Sequence, residues 1–263
     1  MKLSCCSWSY HRTMEAGRLD FWGWLRLCAE QLRVGGVDLI AEQLPKRTKA
    51  FCLELKKRCT DSQLTIVCLS PGTGFGQPTA RGRQAAVDEA RRWLDVGFVL
   101  GAPCLRVFAG FPPKGRGAEL WAPMVGCLRA VAGAAAQAGI TVVIEPHNAG
   151  GFLPDSRSTL RLIREVGSRW VRINLDCGNY ADSDLYAGLE SSLPYAPHVV
   201  AKVLDLRPSG EDRTLDYGRI FELLERRRYR GFVTLEYEGT ADELATVPRA
   251  LAMIQRHAQE HGF

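Results

Sequence analysis

A single (β/α)8 barrel, a TIM barrel of the α/β class occupying residues 1–263 as one domain, is the fold that this sequence predicts. Three observations carry it. Short β-rich apolar runs alternate with longer amphipathic stretches from end to end, as repeated βα units of a parallel sheet require. The length of 263 residues matches the roughly 250 that eight such units occupy as one domain. The turn after the first apolar run, Ser7-Trp8-Ser9-Tyr10-His11, lacks the glycine-rich fingerprint of a dinucleotide-binding open sheet, and no phosphate-loop sequence occurs elsewhere.

The first strand is expected over residues 3–8, and the second over 37–40, directly after Gly35 and Gly36. The third, 64–69, ends where the Gly/Pro-rich piece from Pro71 to Pro78 begins, and the fourth, 104–108, precedes a second such piece from Pro112 to Gly117. The remaining strands are expected over 141–145, 171–176, 198–204 and 231–236. Between them, helices are expected over 21–34, 83–100, 119–138 and 217–228, with Gly35, Gly101 and Gly139 suited to end three helical runs. The two Gly/Pro-rich pieces read as loops of the active face rather than domain boundaries.

Composition narrows the function. With 46% apolar and 24% charged residues, the chain can bury a large core and is not of disordered composition. The net charge of +5 comes from arginines and lysines interspersed with acids, notably across residues 161–172 and 226–230. Such mixed runs are solvated helix faces rather than a nucleic-acid patch. The start, MKLSCCSWSYHR, holds no secretory apolar region, and no stretch reaches the roughly 18 apolar residues of a membrane span, so a cytoplasmic enzyme without nucleic-acid or membrane partners is expected. Nine cysteines include no C-x-x-C pair and read as reduced, buried hydrophobes. Cys177, beside a predicted site residue, is the exception, as a candidate ligand contact.

In a barrel of this kind the chemistry sits where strands end. The fifth run reads Val142-Val143-Ile144-Glu145-Pro146-His147-Asn148, the sixth Ile173-Asn174-Leu175-Asp176-Cys177-Gly178-Asn179, and the eighth Val233-Thr234-Leu235-Glu236-Tyr237-Glu238-Gly239. Each puts a carboxylate directly after an apolar run. Three carboxylates at one mouth repel each other unless a cation or protons compensate them, and a divalent metal on Glu145, Asp176 and Glu236 is the simplest compensator. An oxygen donor set suits Mn or Mg best, with Co or Zn as further candidates. Strand alternation adds His147 and Glu238 to the same faces as Glu145 and Glu236. Arg106, Asn179 and Lys202 complete the candidates for substrate contacts. Each has a structural alternative: Arg106 as an interior ion-pair partner, Asn179 as a turn former, the carboxylates as partners of arginines. Trp8, Phe75 and Trp121 are aromatic candidates for the pocket wall, although core packing is the commoner role, and His11 reads as a surface-loop histidine.

These pieces, together with Leu105-Arg106-Val107-Phe108, Ala201-Lys202, Asp216-Tyr217 and Tyr229-Arg230-Gly231-Phe232, resemble the xylose isomerase-like barrels of the sugar phosphate isomerase/epimerase family over the full chain. That group is similar to tagatose and psicose epimerases, inosose dehydratases and isomerases, dehydroshikimate dehydratases and, more distantly, endonuclease IV. The resemblance implies a metal held by Glu145, Asp176, a strand-seven histidine and Glu236, a small carbohydrate substrate and a homo-oligomer. The chain departs from the family's His-x-Lys-Asp at strand seven, where it reads Val200-Ala201-Lys202-Val203. His198 lies two residues earlier on the same face, one layer deeper, and Lys202 points to the mouth, where its ammonium could neutralise carboxylates or bind substrate oxygen.

The chemistry that follows is isomerisation or epimerisation through an enediolate, with Glu145 and Glu236 as the acid and base that move the proton. Loss of a β-hydroxyl from the same intermediate would make a dehydratase or lyase, and a barrel without metal could bind carbohydrate without turning it over. Five histidines, two of them on the terminal helix, are too few and wrongly placed for a trinuclear zinc site acting on DNA.

Overall fold

The computed structural model describes residues 1–147 and 150–263; Asn148, quoted in the strand-five motif above, lies outside them. Eight parallel strands close into one barrel in sequence order: β1 (Lys2–Cys6), β2 (Gly36–Ile40), β3 (Thr65–Ser70), β4 (Cys104–Phe108), β5 (Thr141–Glu145), β6 (Val171–Asp176), β7 (His198–Val203) and β8 (Phe232–Tyr237). β8 returns to β1 with Lys2 opposite Phe232 and Cys5 opposite Leu235. The expected (β/α)8 barrel is therefore the observed one.

The first strand is shorter than expected. It stops at Cys6 because Ser7–Tyr10 curls into a 3-10 turn, whose hydroxyls replace the ladder to the neighbouring strands. Ser7 Oγ accepts from the Ile40 N–H at 3.0 Å beside β2, while Ser9 Oγ accepts from the Tyr237 N–H at 3.0 Å and donates to Leu235 O at 3.2 Å on β8. Trp8, expected in the strand, lies in this turn.

The helices are α1 (His11–Glu15), α2 (Phe21–Arg26), α3 (Lys49–Asp61), α4 (Ala80–Leu100), α5 (Gly117–Ala138), α6 (Ser156–Val166), α7 (Leu185–Ser192), α8 (Tyr217–Arg226) and α9 (Glu243–Glu260). Short oxygen-bearing side chains start most of them. Asp20, Thr48, Thr79, Asp155, Asp184, Asp216 and Asp242 each accept from a backbone N–H of the first turn, and each such cap stabilises a helix by about 1 kcal/mol. Gly101 and Gly139 end α4 and α5 with φ of +76° and +68°, which a side chain would strain. Gly35 does not act this way. The run after α2 widens into a π-turn over Leu27–Leu32, the Val34 N–H reaches back to Cys28 O, and Arg33 takes the left-handed position at φ 52°.

Outward side chains of the strands pack beneath the helices in one continuous core that includes Trp24, Leu39, Leu105, Leu128, Tyr217 and Phe221. Inward side chains are unusually polar. One layer holds Ser4, Asp38, Asn174, His198 and Thr234, all buried, and the layer above holds Arg106, Glu145, Asp176 and Lys202. No helix among the described residues is long and apolar enough to cross a membrane.

Glu243 fastens the last helix to the first. Its carboxylate accepts from the N–H groups of Arg12 and Thr13 at 3.1 and 2.8 Å and from Arg12 Nε at 3.0 Å. Burial would raise its pKa, but the hydrogen bonds from Thr13 and Arg12 outweigh burial and hold it below the ordinary value of 4.5. A depressed carboxylate adds stability above its unfolded pKa and loses it as pH falls through the folded one. Glu243→Gln is therefore expected to lower unfolding free energy by roughly 1–3 kcal/mol at neutral pH, in urea denaturation, and by less below pH 4.5.

Candidate active site

The C-terminal ends of β4 to β8 bring the predicted carboxylates and cations to one mouth. Glu145 ends β5 and is almost wholly buried. Its Oε2 lies 3.2 Å from Arg106 Nε on β4 and accepts from Asn174 Nδ2 at 3.0 Å, while Oε1 accepts from Asn179 Nδ2 at 3.2 Å. Arg106 extends past Phe108, its guanidinium 4.4 Å from the ring centroid, and donates to the Pro71 and Ser70 carbonyls at 3.4 and 3.5 Å. Of the two roles weighed for Arg106 from sequence, the interior ion pair is realised, and it is made with a site carboxylate.

Asp176 ends β6 with no exposed surface. Its Oδ1 accepts from the Gly178 N–H at 2.8 Å, and its Oδ2 lies 3.0 Å from Lys202 Nζ, off the angle of a hydrogen bond. Lys202 enters from β7, and its Nζ also lies 3.1 Å from Glu238 Oε2, at the rim just past β8. Burial alone would lower the Lys202 pKa, but Asp176 and then Glu236, Glu238 and Glu145 reverse that and raise it, so the ammonium is held. Burial raises the Asp176 pKa to about 7, against the opposing ammonium of Lys202 3.0 Å away.

Glu236 differs from its neighbours. It stands opposite Lys202 in the strand register and makes no hydrogen bond or ion pair among the described residues. Burial, with smaller contributions from Glu145, Asp176 and Glu238, pushes its pKa well above 4.5 despite the opposing Lys202. The charged form of Glu236 is thus disfavoured where its neighbours are held as ions.

His147 borders a narrow cleft of about 10 Å³ that it shares with Glu145, Phe108, Phe111 and Phe152. Its ring meets those of Phe108 and Phe111 edge to face, with centroids 6.1 and 5.3 Å away, and its buried Nδ1 has no partner among the described residues. These three phenylalanines line the cleft, and the aromatic candidates named from sequence take other places. Phe75 is core, Trp121 lies on α5 and donates to Glu165 at 2.7 Å, and Trp8 stacks on His11 at 4.2 Å. Only the position of Phe108 at the end of a strand gave a signal. Cys177, expected at the ligand, instead faces the outer core with its thiol pKa raised by burial, and all nine cysteines are free and buried.

Beneath the mouth runs a hydrogen-bonded chain. Asn174 donates to Glu145, so its Oδ1 accepts from His198 Nδ1 at 2.5 Å. His198 Nε2 then accepts from Thr234 Oγ1 at 2.6 Å, and Ser4 Oγ lies 2.6 Å further along. Burial, then Arg106, lowers the His198 pKa to about 3, so the ring is neutral and fixes the Asn174 amide. His198 is therefore no substitute for the strand-seven ligand at the mouth.

The expected metal was Mn, Mg, Co or Zn on Glu145, Asp176 and Glu236. The residues do not fit it. The fourth position is Val200, buried and apolar, two of the three carboxylates already have cationic partners, and the three do not converge as ligands. Among the described residues, the one group whose donor atoms lie within 4.8 Å of one another is Asp38, Cys68 and His198, in the layer below. Both His198 nitrogens there are engaged, and Asp38 accepts from Ser70 Oγ at 2.6 Å.

Asp38 yields a pH test. Burial pushes its pKa up to about 7 against the opposing Ser70 and Arg106. A raised carboxylate binds its proton more tightly when folded, so its contribution to stability falls as pH rises from 3.8 through about 7. Asp38→Asn, which keeps the acceptor and cannot ionise, is expected to gain stability relative to wild type across that window. Urea denaturation at acid and alkaline ends of the window checks it, and a flat difference refutes it.

The chain matches the family described as Xylose isomerase-like TIM barrel over residues 25–257. A Mus musculus protein named "Putative hydroxypyruvate isomerase" is 31% identical over 182 residues, covering 64% of this chain and 66% of that one, so the match spans just under two thirds of the relative. The 2-oxo-tetronate isomerase of Cupriavidus necator is 27% identical, covering 57% of this chain and 60% of that one. The crystal structure of 3-keto-D-glucoside 4-epimerase from E. coli superposes with a TM-score of 0.80 at 19% identity, over 97% of this chain and 99% of that chain, which is likeness of fold. With the barrel, the strand-end carboxylates and this match over most of its length, the chain belongs to the xylose isomerase-like TIM barrel family.

Proposed function

We propose that this barrel is an isomerase or epimerase of a small α-hydroxycarbonyl carbohydrate, acting through an enediolate. The observation that carries the reading is the unlike setting of two carboxylates at one mouth. Glu145 is surrounded by three donors, whereas Glu236 is unpaired and inclined to hold a proton. A pair set apart in this way divides the work of base and acid.

In this reading one carboxylate takes the proton from the carbon beside the substrate carbonyl. The C–H electron pair becomes the new C=C bond and the carbonyl π pair moves to oxygen. The enediolate charge faces the cations of the mouth, Lys202 and Arg106, in a site where water is scarce and such charges act strongly. Return of the proton to the neighbouring carbon, with the hydroxyl proton passing from the oxygen that becomes the new carbonyl to the former carbonyl oxygen, gives the isomer, and return to the opposite face of the same carbon gives the epimer. His147, Asn179 and Glu238 are the remaining hydroxyl and carbonyl contacts. Electrons and protons balance without an oxidant.

Two relatives carry names for isomerases of hydroxypyruvate and 2-oxo-tetronate, and short hydroxy-oxo acids of that kind are the substrates to try first.

Incubation with such acids in heavy water should place solvent deuterium on carbon, read by NMR. Glu236→Gln should slow that exchange by about 10²- to 10⁴-fold, the usual contribution of a general acid or base, while melting temperature stays near wild type. Folded protein that exchanges no proton into any hydroxy-oxo acid or ketose offered would overturn the reading.

A further inference from the structure

An ammonium already stands beside Asp176, one of the carboxylates expected to hold a divalent cation. We propose that the Lys202 ammonium stands in for that cation, and that this barrel neither needs nor retains a metal at its carboxylates. Lys202 is then the fixed positive charge that receives the substrate oxygen. That role rests on the isomerase reading, whereas the claim about metal does not.

Four independent features place the ammonium. Nζ lies 3.0 Å from Asp176 Oδ2 and 3.1 Å from Glu238 Oε2, so it already bridges carboxylates from two strand ends. Its Cα pairs with that of Glu236, which brings the third carboxylate alongside. Its path is built into the neighbouring loop: a Cβ added at Gly178 would meet Lys202 Cδ at 3.0 Å and its Cβ and Cγ at 3.3 Å, so the lysine stem fills the space a side chain there would take. Its backbone is fixed as well, since Tyr217 donates its hydroxyl to Lys202 O at 2.6 Å.

The remaining ligand positions have been reassigned in the same sense. Val200 is buried and offers no donor where the family pattern has histidine. Glu145 already has three donors on its two oxygens, Arg106, Asn174 and Asn179, so much of its charge is met without a metal. A divalent ion touching Asp176 would lie against an ammonium in a site shielded from water, where like charges repel strongly.

Metal content tests this directly. Protein purified without chelator, then equilibrated with Mn and dialysed, is expected to hold substoichiometric metal by mass spectrometry, with no saturable Mn, Mg, Co or Zn binding by calorimetry. Lys202→Met removes the competing charge and should tighten Mn binding by about tenfold or more, the effect of 1.4 kcal/mol. Gly178→Ala, which crowds the lysine stem, should move the same way if less far. Near-stoichiometric metal in the wild type overturns the proposal, and so does Mn affinity unchanged in folded Lys202→Met. The heavy-water exchange reads the isomerase assignment separately. Metal-free protein that exchanges nothing removes that assignment and leaves this inference standing, while metal-loaded protein that exchanges does the reverse.

Discussion

Two buried cations placed among the carboxylates of the mouth organise this barrel. Arg106 on β4 meets Glu145 on β5, and Lys202 on β7 meets Asp176 on β6 and Glu238 past β8. Removing such charges from water costs several kcal/mol per ion, and mutual attraction repays that only when the remaining hydrogen bonds are satisfied. Here they largely are, through Asn174 and Asn179 at Glu145 and the Gly178 N–H at Asp176. Buried ion pairs are weak contributors to stability compared with apolar packing of the same volume, so the arrangement is better understood as holding charge ready at a fixed place. The core beneath the helices supplies the stability, and the mouth draws on it.

The layer below explains how the mouth stays rigid. Ser4, Thr234, His198 and Asn174 form one hydrogen-bonded chain across β1, β8, β7 and β6, and it ends on Glu145. Because Asn174 must donate to the carboxylate, every proton along the chain is assigned, and the neutral His198 is locked in one tautomer. A polar chain inside a barrel is costly if any member lacks a partner. Its completeness makes the Glu145 orientation a property of four strands rather than of one side chain.

The sequence made the barrel legible because each strand is short, β-rich and followed by a turn or loop signal, and because parallel strands buried on their outer face read as apolar runs. The register of β4 to β6 was readable to the residue, while β1 was not. Its end depends on Ser7 and Ser9 exchanging hydrogen bonds with β2 and β8, which lie distant in sequence. The break after Arg26 was equally hidden, since nothing local distinguishes an α-turn from a π-turn in an apolar stretch. At the site, the residue types and their strand positions were readable, as was the departure at Val200.

What the sequence determined by itself is the closed eight-unit architecture and the identity of the polar residues that reach its C-terminal mouth, because strand periodicity fixes which side chains face inward. Tertiary structure alone decided their partners. Three carboxylates in a row of strand ends call for a cation, and the chain does not say whether that cation is a bound metal or its own lysine. That choice is made by the space over Gly178, the register that sets Lys202 beside Glu236, and the 3.0 Å approach to Asp176, all of which exist only once the barrel has closed.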